Sequence, residues 1–200
     1  MQAPSRSFAP FTNAEWLYEV KFDGYRGLAR IEGGRARLFS KSRLEVTSWF
    51  PEIAAALAQV PGGPHVLDGE IAVLDQYGRS DFHRLRERAS KRRWYPGAPQ
   101  CTYMAFDIML CDGRNVMEMP LIMRKELLAD LLAPVPKTCV MYVQDFDADA
   151  SLFPRFVLAY ELEGFMAKRK ASRYIAGERC DDWRKIKRKG AVEPQRFKRR

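Results

Sequence analysis

Hydrophobic and polar residues follow strand-like patterns in several segments of the chain. Residues 16–22 alternate aromatic or aliphatic side chains with charged ones, which is the period-2 pattern of a half-buried strand. Two segments at 26–32 and 35–40 flank Gly33-Gly34, a dipeptide that suits a tight hairpin turn. More continuous apolar runs predict strands at 65–74, 101–111, 164–168 and 183–187. The chain is therefore predicted to be rich in β-structure.

Helical patterns lie between these strands. Pro51 and an alanine-rich run predict a helix over residues 51–60, and Asp81 is placed to cap a helix that runs through Arg88. Residues 122–132 and 149–162 also have apolar positions at helical spacing. Because strands and helices mix without strict βαβ alternation, we predict an α+β fold with mainly antiparallel sheets.

Several charged residues interrupt segments that otherwise look buried. Each of them alone is explained by the solvated face of a half-exposed strand, which is the commoner situation. Together they indicate one polar site built on sheet surfaces, because an unpaired buried charge is costly. These residues are Glu19, Lys21, Asp23, Glu70, Asp107, Lys168, Lys185 and Lys187.

The familiar nucleotide-binding and zinc-protease motifs are missing. The sequence has no GxxxxGK[ST], no GxGxxG after a strand and no HExxH, which argues against P-loop, Rossmann and zincin chemistry. A lysine-centred site with carboxylates and further cations remains. Such a site suits transfer of a phosphoryl-type group through the lysine amine.

The net charge of +9 is unevenly distributed along the chain. Residues 1–183 have 25 basic and 24 acidic side chains, whereas residues 184–200 have nine basic and one acidic. A polyanion such as nucleic acid is therefore expected to contact local cationic segments. The four cysteines show no CxxC or CxH spacing, and no apolar run approaches the roughly twenty residues of a membrane span. We expect a soluble cytoplasmic protein with free thiols and no membrane association.

One segment resembles a known signature. Residues 19–26, EVKFDGYR, resemble the KxDGxR motif of the covalent nucleotidyltransferases, which include ATP-dependent DNA ligases, RNA ligases and mRNA capping enzymes. In the order of that superfamily, DGE follows at 68–70, FD at 106–107, EGFMAK at 163–168 and WRKIK at 183–187. The sequences of these motifs are most similar to those of the adenylation domain of the bacterial ligase D type, whose relatives work in double-strand break repair. The resemblance implies an ATP-grasp-like nucleotidyltransferase fold, with mainly antiparallel sheets and flanking helices around a nucleotide cleft.

The resemblance also implies a role for each motif. Lys21 would attack the α-phosphate of ATP, expel pyrophosphate and carry AMP through a phosphoramidate bond. Glu70 would hold the ribose hydroxyls, and Phe106 would stack on adenine. The other expected ATP contacts are Glu19 at the base edge, Arg26 beside the ribose and phosphate, Lys185 and Lys187 at the α-phosphate, Lys168 as a further cation, and Lys41, which stands where the family often has arginine.

A divalent metal is expected on physical grounds as well as by resemblance. An ordinary lysine amine is almost fully protonated near pH 7 and must lose its proton before it attacks. The cations and carboxylates around the lysine cancel in number, so a metal held by Asp23 and Glu163 would favour the neutral amine. Mg²⁺ or Mn²⁺ is therefore predicted beside ATP.

Nicked or broken double-stranded DNA is the expected partner. The candidate DNA contacts are Arg84, Arg88, Lys91, Arg92 and Arg93 in mid-chain, and Arg188, Lys189 and Lys198 near the end. A solvated end or a linker explains the second group equally well. We predict a monomeric chain with a nucleotidyltransferase domain at 1–187 and a basic tail or linker stub at 188–200.

The predicted function is that of an ATP-dependent DNA ligase, or its adenylation core, that passes AMP to the 5′-phosphate of a nick. Ligases of this kind continue into an OB-fold, and the thirteen residues after Lys187 are too few for one. A separate OB-fold, end-binding, nuclease or polymerase component is therefore a candidate partner. Two alternatives stay open: an RNA ligase or capping-type enzyme, and a DNA-binding module with vestigial transferase activity.

Overall fold

The computed structural model describes residues 1–4, 8–147, 151 and 153–188, and the structural statements below concern those residues. Two main β-sheets face each other, and α-helices cover the outer side of the larger one. The strands are β1 (Ala3–Pro4), β2 (Trp16–Val20), β3 (Tyr25–Glu32), β4 (Arg35–Ser40), β5 (His65–Ala72), β6 (Thr102–Cys111), β7 (Arg114–Asn115), β8 (Val140–Tyr142), β9 (Asp145–Phe146), β10 (Gly164–Arg169), β11 (Arg179–Cys180) and β12 (Trp183–Lys187). The helices are α1 (Pro51–Leu57), α2 (Phe82–Ser90) and α3 (Leu121–Leu132), with a 3₁₀ turn at Thr47–Trp49 and a π-helical segment at Phe153–Leu158.

The larger sheet has the strand order β4-β3-β5-β6-β7, and β8 pairs with β6 in parallel. Its other pairings are antiparallel. Because side chains alternate along a strand, one face is apolar and carries Ile31, Leu67 and Ile71. Side chains of all three α-helices join these residues in the main core, among them Ile53, Leu85 and Leu128. The opposite face is left for the polar residues of β3 and β5.

The smaller sheet has the order β12-β10-β2-β9 and is antiparallel throughout. Its apolar face packs in a second core with Trp16, Tyr18 and Phe165. Glu19 of β2 pairs with Met166 of β10, and side chains alternate between the two faces along each strand. The polar residues at the alternate positions, Glu19 among them, therefore lie on the other face of this sheet. That face lies toward the larger sheet.

Two small apolar clusters join the sheets. One contains Met104 of β6 and Val143, and the other contains Met109 of β6 and Trp183 of β12. Phe106 packs against both clusters. The two sheets therefore hold a cleft between their polar faces, with Phe106 inside it.

The predicted α+β class with mainly antiparallel sheets is confirmed, as are most of the predicted elements. Gly33 and Gly34 have φ values of 58° and 67°, which a two-residue hairpin turn of this kind requires. Asp81 caps α2 by accepting a hydrogen bond from the backbone N–H of Arg84 at 3.0 Å.

Short and irregular elements were predicted poorly. The helix expected at 149–162 is wrong for the described part of that range, where Phe153–Leu158 is π-helical. This winding buries Val157 in the second core, and Glu161 then takes a φ of 52°. Strands β7, β8, β9 and β11 have two or three residues each, which is too short for a period-2 pattern to appear.

The chemistry expected of the cysteines agrees with the structure, since all four are free thiols. No helix within the described ranges has the length and apolarity needed to cross a membrane. The predicted division at residue 187 remains a prediction, because residues 189–200 lie outside the described residues.

Candidate functional site

The facing polar surfaces of the two sheets bring most of the predicted site residues together. The smaller sheet and its loops contribute one group, and β3, β5 and β6 of the larger sheet contribute the other. In chain order the assembled residues are Glu19, Lys21, Asp23, Arg26, Glu70, Phe106, Glu163, Lys168, Lys185 and Lys187.

Lys21 lies directly after β2, and its backbone N–H donates to the carbonyl oxygen of Gly164 at 2.9 Å. Its Nζ forms an ion pair with Glu163 Oε2. The other oxygen of Glu163, Oε1, lies 3.2 Å from Lys187 Nζ. One carboxylate thus contacts two lysines, and all three side chains are largely shielded from solvent.

The turn after Lys21 is held against the larger sheet. Ser80 Oγ accepts a hydrogen bond from the backbone N–H of Asp23 at 3.0 Å. A Cβ on Gly24 would overlap the carbonyl oxygen of Ile71, so only glycine allows this close approach to β5. Ser80 was not predicted, because a lone serine in a turn carries no periodic signal.

The electrostatics of Asp23 suit a cation. Burial, and then the nearby Glu163 carboxylate, raise the pKa of Asp23 to about 6. Within the described ranges no cluster of three or more His, Cys, Asp or Glu side chains has metal-binding geometry. Asp23 and Glu163 are instead a two-carboxylate set, the kind that Mg²⁺ uses when substrate phosphates and water complete its shell.

A cleft of about 150 Å³ opens beside Lys21, and part of its wall was not predicted. Arg79, in the loop before α2, donates from Nε to Asp75 Oδ2 at 2.7 Å and from Nη1 to Glu161 Oε2 at 2.8 Å. Arg188 lines the same cleft. These two arginines place cationic groups at the edge of the cleft.

Glu19 lies deeper, between two lysines. Its Oε1 is 2.6 Å from Lys125 Nζ, and its Oε2 is 2.6 Å from Lys168 Nζ. Burial would lower the pKa of Lys125, but the Glu19 carboxylate raises it overall. For Lys168 burial outweighs that attraction, and the pKa is lowered. All three groups are almost fully buried.

Lys125 is a site residue that sequence analysis missed, although a signal for it exists. It lies on α3 four residues after Leu121 and three before Leu128, both of which are in the buried stripe of the helix. A lysine at helical spacing between buried leucines must reach a buried partner. Here that partner is Glu19.

Phe106 lies among cations and a second aromatic ring. Lys168 Nζ is 4.3 Å from the ring centroid and Arg26 Cζ is 5.2 Å from it, both within cation–π range. Trp183 meets Phe106 edge-on, with centroids 6.0 Å apart. The Nε1 of Trp183 is buried and has no hydrogen-bond partner in the part of the chain that the structure describes. An orphaned donor here fits a ligand that carries acceptor atoms.

Arg26 is fixed by a carboxylate of β5. It donates from Nε to Asp68 Oδ1 at 3.0 Å and from Nη2 to Asp68 Oδ2 at 2.6 Å. Tyr174 also donates its hydroxyl to Asp68 Oδ2 at 2.6 Å. Because both guanidinium bonds are fixed, the orientation of Arg26 in the cleft is set before any ligand arrives.

Glu70 lies opposite Arg26 in the pairing of β3 with β5. Burial raises its pKa to about 8, although Lys21 and Arg26 act in the opposite direction. The Glu70 carboxyl is therefore mostly protonated near neutral pH. In that form it can both donate and accept hydrogen bonds.

Asp107 has a structural role rather than a place among the ligand-facing groups. It accepts two bonds from Arg124 of α3, at 2.8 Å from Nε and 3.0 Å from Nη2. Both side chains are fully buried. The pair therefore fastens α3 to β6 behind Phe106.

The mid-chain DNA candidates divide into one correction and four exposed cations. The prediction that Arg88 faces DNA is wrong, because it is fully buried and its Nη2 donates to both oxygens of Glu52 at 3.1 Å. It occupies the buried side of α2 with Leu85 and Ala89. The exposed candidates are Arg84, Lys91, Arg92 and Arg93.

The remaining predicted ATP and DNA contacts lie at the edge of the site or outside the residues that the structure describes. Lys41 is exposed in the turn after β4. Lys185 lies in β12 opposite Met166, on the strand face that carries Glu19. Lys189 and Lys198 lie outside the described residues.

This assembly of a lysine, paired carboxylates and nucleotide-facing groups between two antiparallel sheets is that of a covalent nucleotidyltransferase domain. The family described as "ATP dependent DNA ligase domain" matches residues 1–187, and the chain belongs to it.

Individual relatives agree with this family. The chain is 32% identical over 203 residues to the "Bifunctional non-homologous end joining protein LigD" of Bacillus subtilis, covering 92% of this chain and 33% of that protein. It is 32% identical over 187 residues to the "Multifunctional non-homologous end joining DNA repair protein LigD" of Mycobacterium tuberculosis, covering 94% and 23%. The chain thus spans a third or less of the length of these two relatives.

The solved structures support the same assignment. The structure titled "mycobacterial DNA ligase D complexed with ATP and MES" matches with a TM-score of 0.80 at 29% identity, covering 93% of this chain and 59% of that one. The structure of the ligase domain from M. tuberculosis LigD matches with a TM-score of 0.79 at 28% identity. The expected nucleotidyltransferase fold and the resemblance to the ligase D type are confirmed.

Proposed function

We propose that this chain carries out the adenylation chemistry of a DNA end-joining ligase, with Lys21 as the nucleophile. The Lys21 amine attacks the α-phosphorus of ATP, so that an N–P bond forms and the P–O bond to the departing pyrophosphate breaks. The amine loses a proton in this step. A 5′-phosphate oxygen of DNA then attacks the same phosphorus, the N–P bond breaks, and AMP passes to the DNA end.

The observation that carries the proposal is the contact of Lys21 with Glu163 inside a charged cleft. Lys187 lies against the same carboxylate at 3.2 Å. When another cation binds Glu163, Lys21 loses its negative partner, while the positive charge of Lys187 stays near. The loss of the carboxylate and the nearby positive charge both favour the neutral amine that the attack requires.

Asp23 and Glu163 are the residues that would hold Mg²⁺ or Mn²⁺. The raised pKa of Asp23, about 6, arises from burial and from the neighbouring Glu163 carboxylate, and a cation would relieve both effects. A metal bound there would supply charge neutralisation for the carboxylates and the phosphates. The two carboxylates therefore fit a divalent ion.

The adenosine part of ATP fits the opposite end of the cleft. Phe106 offers an aromatic ring for stacking, and Trp183 Nε1 offers a free donor beside it. The mostly protonated Glu70 is suited to the ribose hydroxyls. Lys168 is buried against Phe106 and Glu19, so it acts at this end, while Lys185 and Lys187 act at the phosphates.

We propose broken double-stranded DNA as the substrate because the two curated relatives described above are named as end-joining proteins. The exposed cations Arg84, Lys91, Arg92 and Arg93 would contact its phosphates. An OB-fold, end-binding, nuclease or polymerase component would act together with this domain, since each of those relatives is several times longer.

Covalent labelling tests the proposal directly. The chain is incubated with α-labelled ATP and MgCl₂, and acid-labile label bound to the protein is measured after denaturing electrophoresis. We expect label in the parent chain, none in Lys21→Ala, and normal label in Lys137→Ala, which removes an exposed lysine elsewhere on the surface. Label in Lys21→Ala, or none in the parent chain, contradicts the proposal. Labelling from GTP in preference to ATP would point to capping-type chemistry.

A further inference from the structure

A surface loop after α2 presents an exposed tryptophan next to three cations. Lys91, Arg92 and Arg93 are exposed, and Trp94 has 53% of its surface accessible to solvent. An aromatic ring on the surface can serve as a platform on which a base stacks when cations lie beside it. The remaining tryptophans of the chain are partly or fully buried; they are Trp16, Trp49 and Trp183.

The loop is fixed from below by the buried Arg88. Arg88 Nη1 donates to the carbonyl oxygen of Arg93 at 2.8 Å, while Nη2 is held by Glu52. The guanidinium lies over the rings of Phe50 at 5.6 Å and Tyr95 at 5.9 Å. Because the backbone beside Trp94 is anchored in this way, little ordering cost remains when the loop meets a ligand.

Among the residues that the structure describes, the three cations of this loop have no acidic neighbour within ion-pair distance, and the Arg92 guanidinium lies 5.7 Å from the centroid of the Trp49 ring. Within the described ranges none of them has a carboxylate partner within 4.0 Å. Exposed arginines elsewhere do have one, as in the pairs Arg30–Glu32, Arg37–Glu45 and Arg173–Glu118. Unpaired cations beside an exposed aromatic ring are the combination that binds unpaired nucleotides.

We infer that the loop formed by residues 91–95 binds a single-stranded stretch at the DNA end, with Trp94 stacked on an unpaired base. Lys91, Arg92 and Arg93 would hold the flanking phosphates. Every base offers a π face, so this contact is independent of sequence. The inference rests on the proposed function, because it names the form of DNA that the ligase site would receive.

The position of the loop agrees with this role. Helix α2 starts beside the site, since Ser80 two residues before it binds the backbone of Asp23. Nine residues at 1.5 Å each place the loop about 14 Å from the start of α2. That distance is less than half of a turn of duplex DNA, which is about 35 Å long. An overhang of a few nucleotides next to the joint can therefore reach Trp94.

Binding to matched DNA ends tests the inference. Fluorescence anisotropy is measured for the full chain with a blunt duplex and with the same duplex carrying an overhang of about four nucleotides, which is near the smallest site size of a stacking platform. We expect tighter binding of the overhang. In Trp94→Ala this advantage should fall by about 5- to 150-fold, which corresponds to the loss of one base–aromatic stack. Trp94→Tyr should keep most of it, and affinity for the blunt duplex should change little.

Two controls separate stacking from charge and from misfolding. Arg93→Gln should lower the slope of log affinity against log salt by about one for both duplexes. Trp94 lies on the surface, so Trp94→Ala should retain the lysyl-AMP labelling of the parent chain. The fluorescence of Trp94 should also be quenched by the overhang and not by the blunt duplex.

The outcomes distinguish the inference from the proposed function. If Trp94→Ala keeps the full preference for the overhang, or if the parent chain binds both duplexes equally, the loop inference is overturned and the ligase proposal stands. If the parent chain binds neither duplex while it still forms lysyl-AMP, the DNA substrate itself is overturned.

Discussion

Replacing Glu70 by glutamine should stabilise the protein, and the gain should grow with pH. Burial raises the pKa of this carboxyl to about 8 from a usual value of 4.5. An acid whose pKa rises on folding binds its proton more tightly in the folded chain than in the unfolded one. Its contribution to stability is therefore lost as the pH rises from 4.5 through 8. Glutamine has the shape of the protonated acid and does not titrate.

The size of the effect follows from the same shift. Each pH unit between the two pKa values costs about 1.4 kcal/mol, because folding must take up from the solvent a proton that the unfolded chain has already lost. The cost is near zero at pH 4.5, about 3 kcal/mol at pH 7 and about 5 kcal/mol above pH 8. That is a large part of the stability of a domain of this size.

Urea unfolding, followed by tryptophan fluorescence between pH 5 and 9, measures this difference. The free energy of unfolding of Glu70→Gln minus that of the parent chain should rise with pH and level off above pH 8. Groups that titrate in both proteins cancel in the subtraction. Glu126→Gln, which changes an exposed carboxylate of α3, should give a flat difference. A flat difference for Glu70→Gln as well would refute the assigned environment of Glu70.

Three further substitutions test other parts of the structure. Arg124→Met should lower the free energy of unfolding by about 3–5 kcal/mol in urea, because it leaves Asp107 buried without a partner. Lys125→Met should weaken ATP binding about tenfold, because Glu19 loses a charge-assisted hydrogen bond, and calorimetry measures this change. If Lys125 has a purely structural role, the substitution will lower stability and leave the affinity for ATP unchanged. Ser80→Ala should slow lysyl-AMP formation and cost about 1 kcal/mol in stability, because the turn after the nucleophile loses its hydrogen bond, whereas Ser48→Ala, at an exposed position, should change neither.

The parts of the site that the sequence predicted are those carried by local patterns. Lys21, Asp23 and Glu70 stood out because each is a charge inside a strand-like run, and the order of the motifs linked them. Lys125 and Arg79 were not found. The helical spacing of Lys125 indicates a buried partner but does not identify Glu19, and Glu161, the second partner of Arg79, is too distant in sequence for a local pattern to contain both residues. The packing that brings these partners together depends on tertiary contacts, which no window of residues contains.

The mid-chain cations show that a local pattern can also assign a residue to a site in which it has no part. Arg84 to Arg93 look like one basic patch in sequence, but helical geometry turns Arg88 inward, where Glu52 and two aromatic rings receive it. An arginine on the buried face of an amphipathic helix has a different role from the exposed arginines next to it in sequence. Here it fixes the loop that carries Trp94.

Charge pairing in the cleft explains why the first 183 residues are nearly neutral although their proposed ligands are polyanions. Several cations that face the cleft are paired with carboxylates, as in Lys21–Glu163, Arg26–Asp68, Lys168–Glu19 and Arg79–Glu161. Buried cations alone would destabilise the fold, so the carboxylates keep the cleft folded until phosphates and a metal take over their partners. Binding then exchanges one set of ion pairs for another. The net charge needed for DNA is therefore expected outside the cleft, on α2 and the loop that follows it.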